Sequence, residues 1–79
     1  MTAWDALCAF LRERTYDGDH RTFLTNFIAV FTAWCGDRNY GPFHAADIAP
    51  LLRQAGYDIA MNQNGALTLA GLRIKARRH

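Results

Sequence analysis

Four cationic side chains lie within the last seven residues, 73–79, and they are the most concentrated chemical feature of the sequence. They are Arg73, Lys75, Arg77 and Arg78. Clustered cations attract phosphate, and the planar arginine fork matches phosphate geometry better than lysine does. Basic tails also occur as solvated chain ends. The group therefore predicts phosphate contacts, with a solvated end as the alternative.

Two further groups of polar side chains could contact nucleic acid. Arg53 and Gln54 leave a predicted helix on its polar side. Asn62, Gln63 and Asn64 lie at the tip of a predicted hairpin. Asparagine and glutamine can pair with adenine edges, and arginine can pair with guanine or phosphate. The alternative is a solvated helix face and an ordinary polar turn, because turns select asparagine without any ligand.

Catalytic and metal-binding chemistry finds little support in the residue types. The sequence has no serine and a single glutamate, whereas hydrolytic triads need such groups at a suitable spacing. His20 beside Asp19 could form an acid–base pair, but a helix start capped by aspartate predicts the same neighbours. Cys8, Cys35 and His44 lack the paired spacing of structural zinc sites. We expect no enzymatic activity, no metal and no cofactor.

The net charge of +2 conceals an uneven distribution. Residues 1–72 hold five arginines against seven acids, a net charge of −2, so the basic character belongs to residues 73–79. Apolar residues make up 51% of the 79 residues, which suits one small domain with a dense core. The apolar runs are too short to span a bilayer, and the amphipathic start does not match a signal peptide. Reduced, buried cysteines and a cytoplasmic location are therefore expected.

Periodicity predicts two helices in the first half of the chain. The first covers about residues 3–14, with Thr2 as its cap. The run Asp17-Gly18-Asp19 predicts a turn at residues 15–20. The second helix is predicted at about residues 20–35, capped by Asp19 and ended by Gly36.

A third helix is predicted at about residues 44–55, because Ile48 and Leu52 belong to an apolar stripe and Gly56 supplies a stop. Pro50 lacks an amide donor and disfavours helical geometry in the preceding residue. The helix therefore either begins near Asp47 or consists of two pieces, residues 44–49 and 50–55.

A hairpin is predicted at about residues 57–75. Asn64-Gly65 indicates a tight turn in which both residues have positive φ. Leu67 and Leu69 are at odd-numbered positions and Leu72 and Ile74 at even-numbered ones, so in a regular strand the two pairs would point to opposite faces. A bulge at Gly71 would let both pairs face the core. The predicted fold is mainly α with a small β-hairpin, a winged helix-turn-helix with an extra N-terminal helix, as one domain over residues 1–79.

The order of features in residues 27–75 resembles the small winged-helix segment that follows the helicase core in satellite-phage and poxvirus-type primase-helicases. The matching residues are Phe31-Thr32-Ala33-Trp34-Cys35, Ile48 and Leu52 before Gly56-Tyr57, and Gly71-Leu72-Arg73-Ile74-Lys75. The resemblance implies contact with DNA. The chain departs from that family in having no ATPase core or phosphate-binding glycine loop, which excludes helicase activity, and in its neutral hairpin tip.

These observations predict a small non-enzymatic DNA-binding protein of a phage or plasmid, involved in replication or regulation. The predicted DNA contacts are Arg53, Gln54, Asn62, Gln63, Asn64, Arg73, Lys75, Arg77 and Arg78. The alternative is a protein-interaction module, an adaptor or inhibitor of a replication or defence enzyme, on the same scaffold. A homodimer is compatible with either function, and no membrane contact is expected.

Overall fold

Three helices and a three-stranded antiparallel sheet form the described part of the chain. The computed structural model describes residues 1–75, so the predicted contacts Arg77 and Arg78 lie outside the described residues. The elements in chain order are α1 (Ala3–Arg14), β1 (Thr15–Phe23), α2 (Leu24–Asp37), α3 (Ala45–Gln54), β2 (Asp58–Met61) and β3 (Leu67–Ile74). The strand order is β1–β3–β2. The three predicted helices and the hairpin are present, with differences at the ends of α2 and in the hairpin turn, and β1 is additional.

Strand β1 takes the place of the predicted turn before the second helix, and that prediction is wrong. Asp17 is opposite Leu72 and Arg21 is opposite Ala70, so three residues of β1 face a single residue of β3. Gly18 lies in this irregular segment with a φ of 151°. The acid–glycine–acid run therefore forms a bulge inside a strand, because β3 supplies backbone partners on both sides of it.

The second helix begins later than predicted, and the Asp19 cap is wrong because Asp19 belongs to β1. α2 starts at Leu24, and the N-cap residue Phe23 makes no side-chain capping bond. Sheet pairing of the preceding residues thus sets the start of α2. A local capping signal does not.

The second helix also ends later than predicted, at Asp37, so Gly36 is not its stop. The residue that adopts the left-handed backbone conformation after α2 is Asn39, with a φ of 57°. The Tyr40 amide donates to the Cys35 carbonyl at 2.8 Å, and the Asn39 amide donates to the Gly36 carbonyl at 3.2 Å. These two bonds form a Schellman cap in which asparagine takes the place that glycine usually occupies.

Two predicted helix signals are confirmed. The Asp5 amide donates to Thr2 Oγ1 at 3.1 Å, which caps α1. Gly56 follows α3 with a φ of 102°, and the Tyr57 amide donates to the Leu52 carbonyl at 3.1 Å. Gly56 therefore ends α3 through the left-handed conformation that favours glycine.

α3 is one unbroken helix with Pro50 inside it, so neither a start near Asp47 nor a break at Pro50 is correct. Pro50 and Ala46 are both exposed. The Ala46 carbonyl, which would normally accept from residue 50, can therefore be hydrated. The apolar residues Ile48 and Leu52 on the opposite side are fully buried.

The predicted change of strand phase at Gly71 is confirmed. Gly71 has a φ of 107°, and Leu69 and Leu72 are both 0% exposed although their parities differ. Ile74 packs against the same core. Leu67 departs from the prediction, because it lies at the end of the hairpin and is 45% exposed.

The hairpin turn differs from the predicted one. Gly65 has a φ of 82°, whereas Asn64 has no positive φ. The Gly65 amide donates to the Asn62 carbonyl at 3.1 Å. The glycine thus follows a turn centred on Gln63 and Asn64, an arrangement typical of hairpin loops longer than two residues.

The core lies between the three helices and one face of the sheet. The ring centroid of Phe10 is 5.3 Å from those of Phe27 and Phe31 and 5.4 Å from that of Trp34, all in edge-to-face geometry. Phe10 is 0% exposed. It therefore joins α1 to α2 through contacts that add to the burial of apolar area.

Candidate nucleic-acid interface

The exposed side of α3 carries the predicted contacts Arg53 and Gln54. Arg53 lies in the last turn of the helix, and Asp47 lies in its first turn. Of the residues between them, Pro50 is exposed. This face therefore offers one cation and one amide at its carboxyl end and an acid at its amino end.

At the hairpin tip, the side chain of Asn62 has a structural role. Its Oδ1 accepts the Asn64 amide at 2.9 Å and the Ala66 amide at 3.0 Å. Gln63 and Asn64 have exposed side chains. For Asn62 the turn therefore accounts for the residue type, while Gln63 and Asn64 stay predicted contacts.

The cations of β3 lie beside an aromatic ring that sequence reasoning did not select. Tyr16 of β1 is opposite Arg73. The Arg73 guanidinium carbon is 5.4 Å from the Tyr16 ring centroid, and Lys75 Nζ is 5.1 Å from it. Both cations are within the range of cation–π attraction. We call these three residues the cation–tyrosine patch.

The predicted contacts do not form one cluster. Arg73 is six residues along β3 from Leu67, the first residue after the hairpin loop. A strand rises about 3.3 Å per residue, so this separation is roughly 20 Å. The cation–tyrosine patch and the hairpin tip therefore lie toward opposite ends of the sheet.

The face of the sheet that points away from the helices bears aromatic and cationic side chains. Opposite residues of an antiparallel pair share a face, and Leu69 and Leu72 mark the buried face. Arg21 and Phe23 are opposite Ala70 and Thr68, respectively, and so lie on the other face. Register likewise places Tyr16 and Arg73 there. We call this surface the outer sheet face.

Sequence reasoning missed β1 and therefore the outer sheet face. The pairs Thr15-Tyr16 and Thr22-Phe23 combine a β-branched residue with an aromatic one, a composition that favours strands. The Asp17-Gly18-Asp19 run between them was the stronger local signal. Pairing with β3 could be recognised only once the distant strand was known.

Tyr57 ties the start of the hairpin to the bulge of β1. Its hydroxyl donates to Asp17 Oδ1 at 2.6 Å. Burial, with the hydrogen bond and the charge of Asp17, raises the pKa of Tyr57 to about 12. The protonated phenol is thus the form that the fold stabilises.

Tyr57→Phe should lower the free energy of unfolding by about 1 kcal/mol at neutral pH, because the hydrogen bond to Asp17 is lost. The pKa of Tyr57 is higher in the folded protein than the ordinary value of about 10. The stability that this hydroxyl contributes is therefore complete below about pH 10 and is lost as pH rises toward 12. Urea unfolding of both proteins at several pH values measures the difference, which should shrink over that window. A difference independent of pH would contradict the assignment.

The two thiols are not joined in a disulfide. Cys35 is 3% exposed, and burial raises the pKa of its thiol, against a smaller opposing effect of Arg38. Arg38 itself forms an ion pair with Glu13 at 2.8 Å and lies 4.2 Å above the Trp34 ring. Through its contacts with Glu13 and Trp34, Arg38 therefore stabilises the junction of α1 and α2.

Within residues 1–75, no helix has the length and apolar character that crossing a membrane requires. In the same residues, no three histidine, cysteine, aspartate or glutamate side chains are grouped so that they could hold a metal ion. Comparisons of the chain with models of protein families, with curated proteins and with solved structures found no match.

Proposed function

We propose that this chain is a winged-helix domain that binds DNA. The observation that carries the proposal is the element order α1–β1–α2–α3–β2–β3 with strand order β1–β3–β2. In it, α2 and α3 form the helix pair of a helix-turn-helix, and the β2–β3 hairpin is the wing that follows. In such an arrangement the second helix of the pair enters the major groove.

The proposed contacts have different roles. Arg53 and Gln54 on α3 read base edges, since their side chains are exposed at one end of that helix. Gln63 and Asn64 contact the backbone or the groove from the wing tip. Arg73 and Lys75, with the sequence-predicted Arg77 and Arg78, neutralise phosphates and position the domain.

The distribution of charge supports different roles for the cations in residues 73–79 and for the α3 face. Residues 1–72 carry a net charge of −2, so the four cations after them supply most of the attraction for a polyanion. Affinity should therefore depend strongly on salt and on these four residues. The α3 face, with one arginine, should contribute mainly preference among sequences.

The resemblance to the segment after the helicase core of primase-helicases supports a place in the replication of a phage or plasmid. Because the chain has no phosphate-binding glycine loop, the proposed role is a non-enzymatic one. In it the domain would hold DNA for a replication enzyme or a regulator.

A second candidate function is a protein-interaction module. It is favoured by exposed apolar side chains near the wing: Phe23 is 55% exposed, Met61 67% and Leu67 45%. Met61 and Leu67 are opposite each other in the hairpin. Substitution of this pair by threonine would abolish capture of a protein partner but leave DNA affinity unchanged.

Fluorescence anisotropy with labelled duplex DNA tests the proposal. The combined Arg73, Lys75, Arg77 and Arg78 to alanine variant should lose affinity for all sequences. Its log–log salt slope should flatten by up to about 0.9 per lost phosphate contact, because fewer counterions are released. Arg53→Ala should cost roughly 1 to 3 kcal/mol on a preferred site and little on random DNA.

Arg12→Ala is the matched control, since Arg12 is an exposed arginine on α1 outside the proposed surface. It should leave both the affinity and the salt slope close to those of the wild type. Wild-type binding weaker than about micromolar at about 50 mM salt would overturn the DNA proposal. The protein-interaction function would then lead.

A further inference from the structure

We propose that the outer sheet face is a binding site for single-stranded nucleic acid, on which bases stack against Tyr16 and Phe23. This inference shares with the proposed function the use of nucleic acid as ligand and two of the cations. The surface is a different one, because duplex recognition was assigned to α3 and the wing. Arg73 and Lys75 belong to both.

Two aromatic rings on this face are about half exposed, and this holds for Tyr16 even with Arg73 and Lys75 beside its ring. Tyr16 is 48% exposed and Phe23 is 55% exposed, and register with Arg73 and Thr68 puts both on the outer sheet face. Large apolar side chains held on a rigid strand in contact with water are the usual platform for bases. Each ring has a π-face, so stacking would tolerate different bases.

The side chains that β2 and β3 place between the rings are small. Between the two aromatic positions, register places Ala70 on this face beside Arg21, and Ala60 lies beside Thr68. The Thr68 hydroxyl donates to the Ala60 carbonyl at 3.1 Å, so its polar group is used within the sheet. No large side chain at these β2 and β3 positions would hold a base away from the backbone.

The charges on the face favour a polyanion. Arg73 and Lys75 flank Tyr16, and Arg21 is exposed two positions from Phe23. Asp58 is the acid that register with Ala70 places on the same face, at the β2 edge. At the positions that register assigns to this face, Arg21, Arg73 and Lys75 outnumber Asp58, and Asp19 of the adjacent bulge is also exposed. Three cations against these two acids leave the surface positive in a chain whose residues 1–72 are net negative. That complementarity points to a nucleic-acid strand as the occupant.

The spacing of the rings sets the length of the ligand. Their partners Arg73 and Thr68 are five residues apart on β3, which corresponds to roughly 16 Å at about 3.3 Å per residue. Adjacent stacked nucleotides are about 3.4 Å apart. The two stacked bases must therefore be separated by intervening nucleotides, with Arg21 placed to meet the phosphates between them.

Anisotropy with an oligothymidylate of about 15 nucleotides, and with an abasic strand of the same length, tests the inference. Both strands carry the same phosphates, so only stacking distinguishes them. Wild type should prefer the oligothymidylate. Tyr16→Thr and Phe23→Thr should each weaken that binding roughly five- to 150-fold and leave binding of the abasic strand nearly unchanged. Threonine retains strand propensity, and circular dichroism melting checks the fold of each variant.

Ring-proton NMR shifts of Tyr16 and Phe23 in the wild type give a second readout that needs no variant. Upfield shifts on addition of oligothymidylate are expected, since a stacked base shields the ring. Equal affinity for the two strands, or unshifted ring signals at saturation, would overturn the inference. Duplex binding sensitive to Arg53→Ala would still stand in that case. Conversely, loss of duplex binding with intact stacking would overturn the proposed function alone.

Discussion

Replacing Phe10 by alanine should lower the free energy of unfolding by roughly 3 to 5 kcal/mol. Phe10 is 0% exposed and meets three aromatic rings edge-on at 5.3 to 5.4 Å. Truncation would remove the transfer energy of the ring and leave a cavity between α1 and α2 that neighbouring rings cannot fill without changing their packing. Small domains are stable by only about 5 to 15 kcal/mol, so a large part of the population should unfold near body temperature.

Urea denaturation followed by circular dichroism measures this change, and Phe23→Ala is its matched control. The substitution is the same, but Phe23 is 55% exposed, so the expected cost is about 1 kcal/mol or less. Phe10→Leu should fall between the two, since it retains apolar burial but loses the edge-to-face contacts. Equal costs at positions 10 and 23 would show that Phe10 is not a core residue.

Gly71→Ala should have the second largest effect, a loss of about 3 kcal/mol. Gly71 has a φ of 107°, which side-chain-bearing residues rarely adopt, and a Cβ there would lie 3.0 Å from Tyr57 Cδ1. The new methyl group would push on the ring whose hydroxyl binds Asp17. The bulge that lets Leu69 and Leu72 face the core together would therefore be strained.

Gly36→Ala is the control for Gly71→Ala. Gly36 lies within the described end of α2, and a Cβ there meets nothing within 4 Å. Because alanine has the higher helix propensity, this variant should gain about 0.5 kcal/mol or slightly more. Thermal melting of both variants gives opposite signs if the assignments are correct. A Gly71→Ala protein as stable as the wild type would show that alanine at this position does not strain the backbone.

Signals carried by short stretches of sequence were sufficient for several features. The Thr2 cap depends on a residue and an amide three positions away. The Gly56 stop needs only a glycine after an apolar stripe, and the change of strand phase at Gly71 follows from the parity of neighbouring leucines. These features could be predicted because the residues that cause them are within a few positions of each other in the sequence.

Features that depend on distant partners could not be predicted in this way. Residues 15–23 form a strand because β3, about 50 positions later in the chain, satisfies their backbone groups and outweighs the turn propensity of Asp17-Gly18-Asp19. Because these residues form a strand, α2 begins later than predicted, at Leu24. Asn64 avoids the positive φ predicted for it, since the Asn62 side chain stabilises a longer turn.

The same division applies to the candidate sites. Residue types alone were enough to propose Arg73 and Lys75 as phosphate contacts, because clustered charge attracts phosphate whatever the fold. Only the tertiary structure decided that Tyr16 lies beside them and that Phe23 is on the same face of the sheet. A side chain's face depends on the strand register, and the bulge in β1 changes that register by amounts that no local pattern specifies.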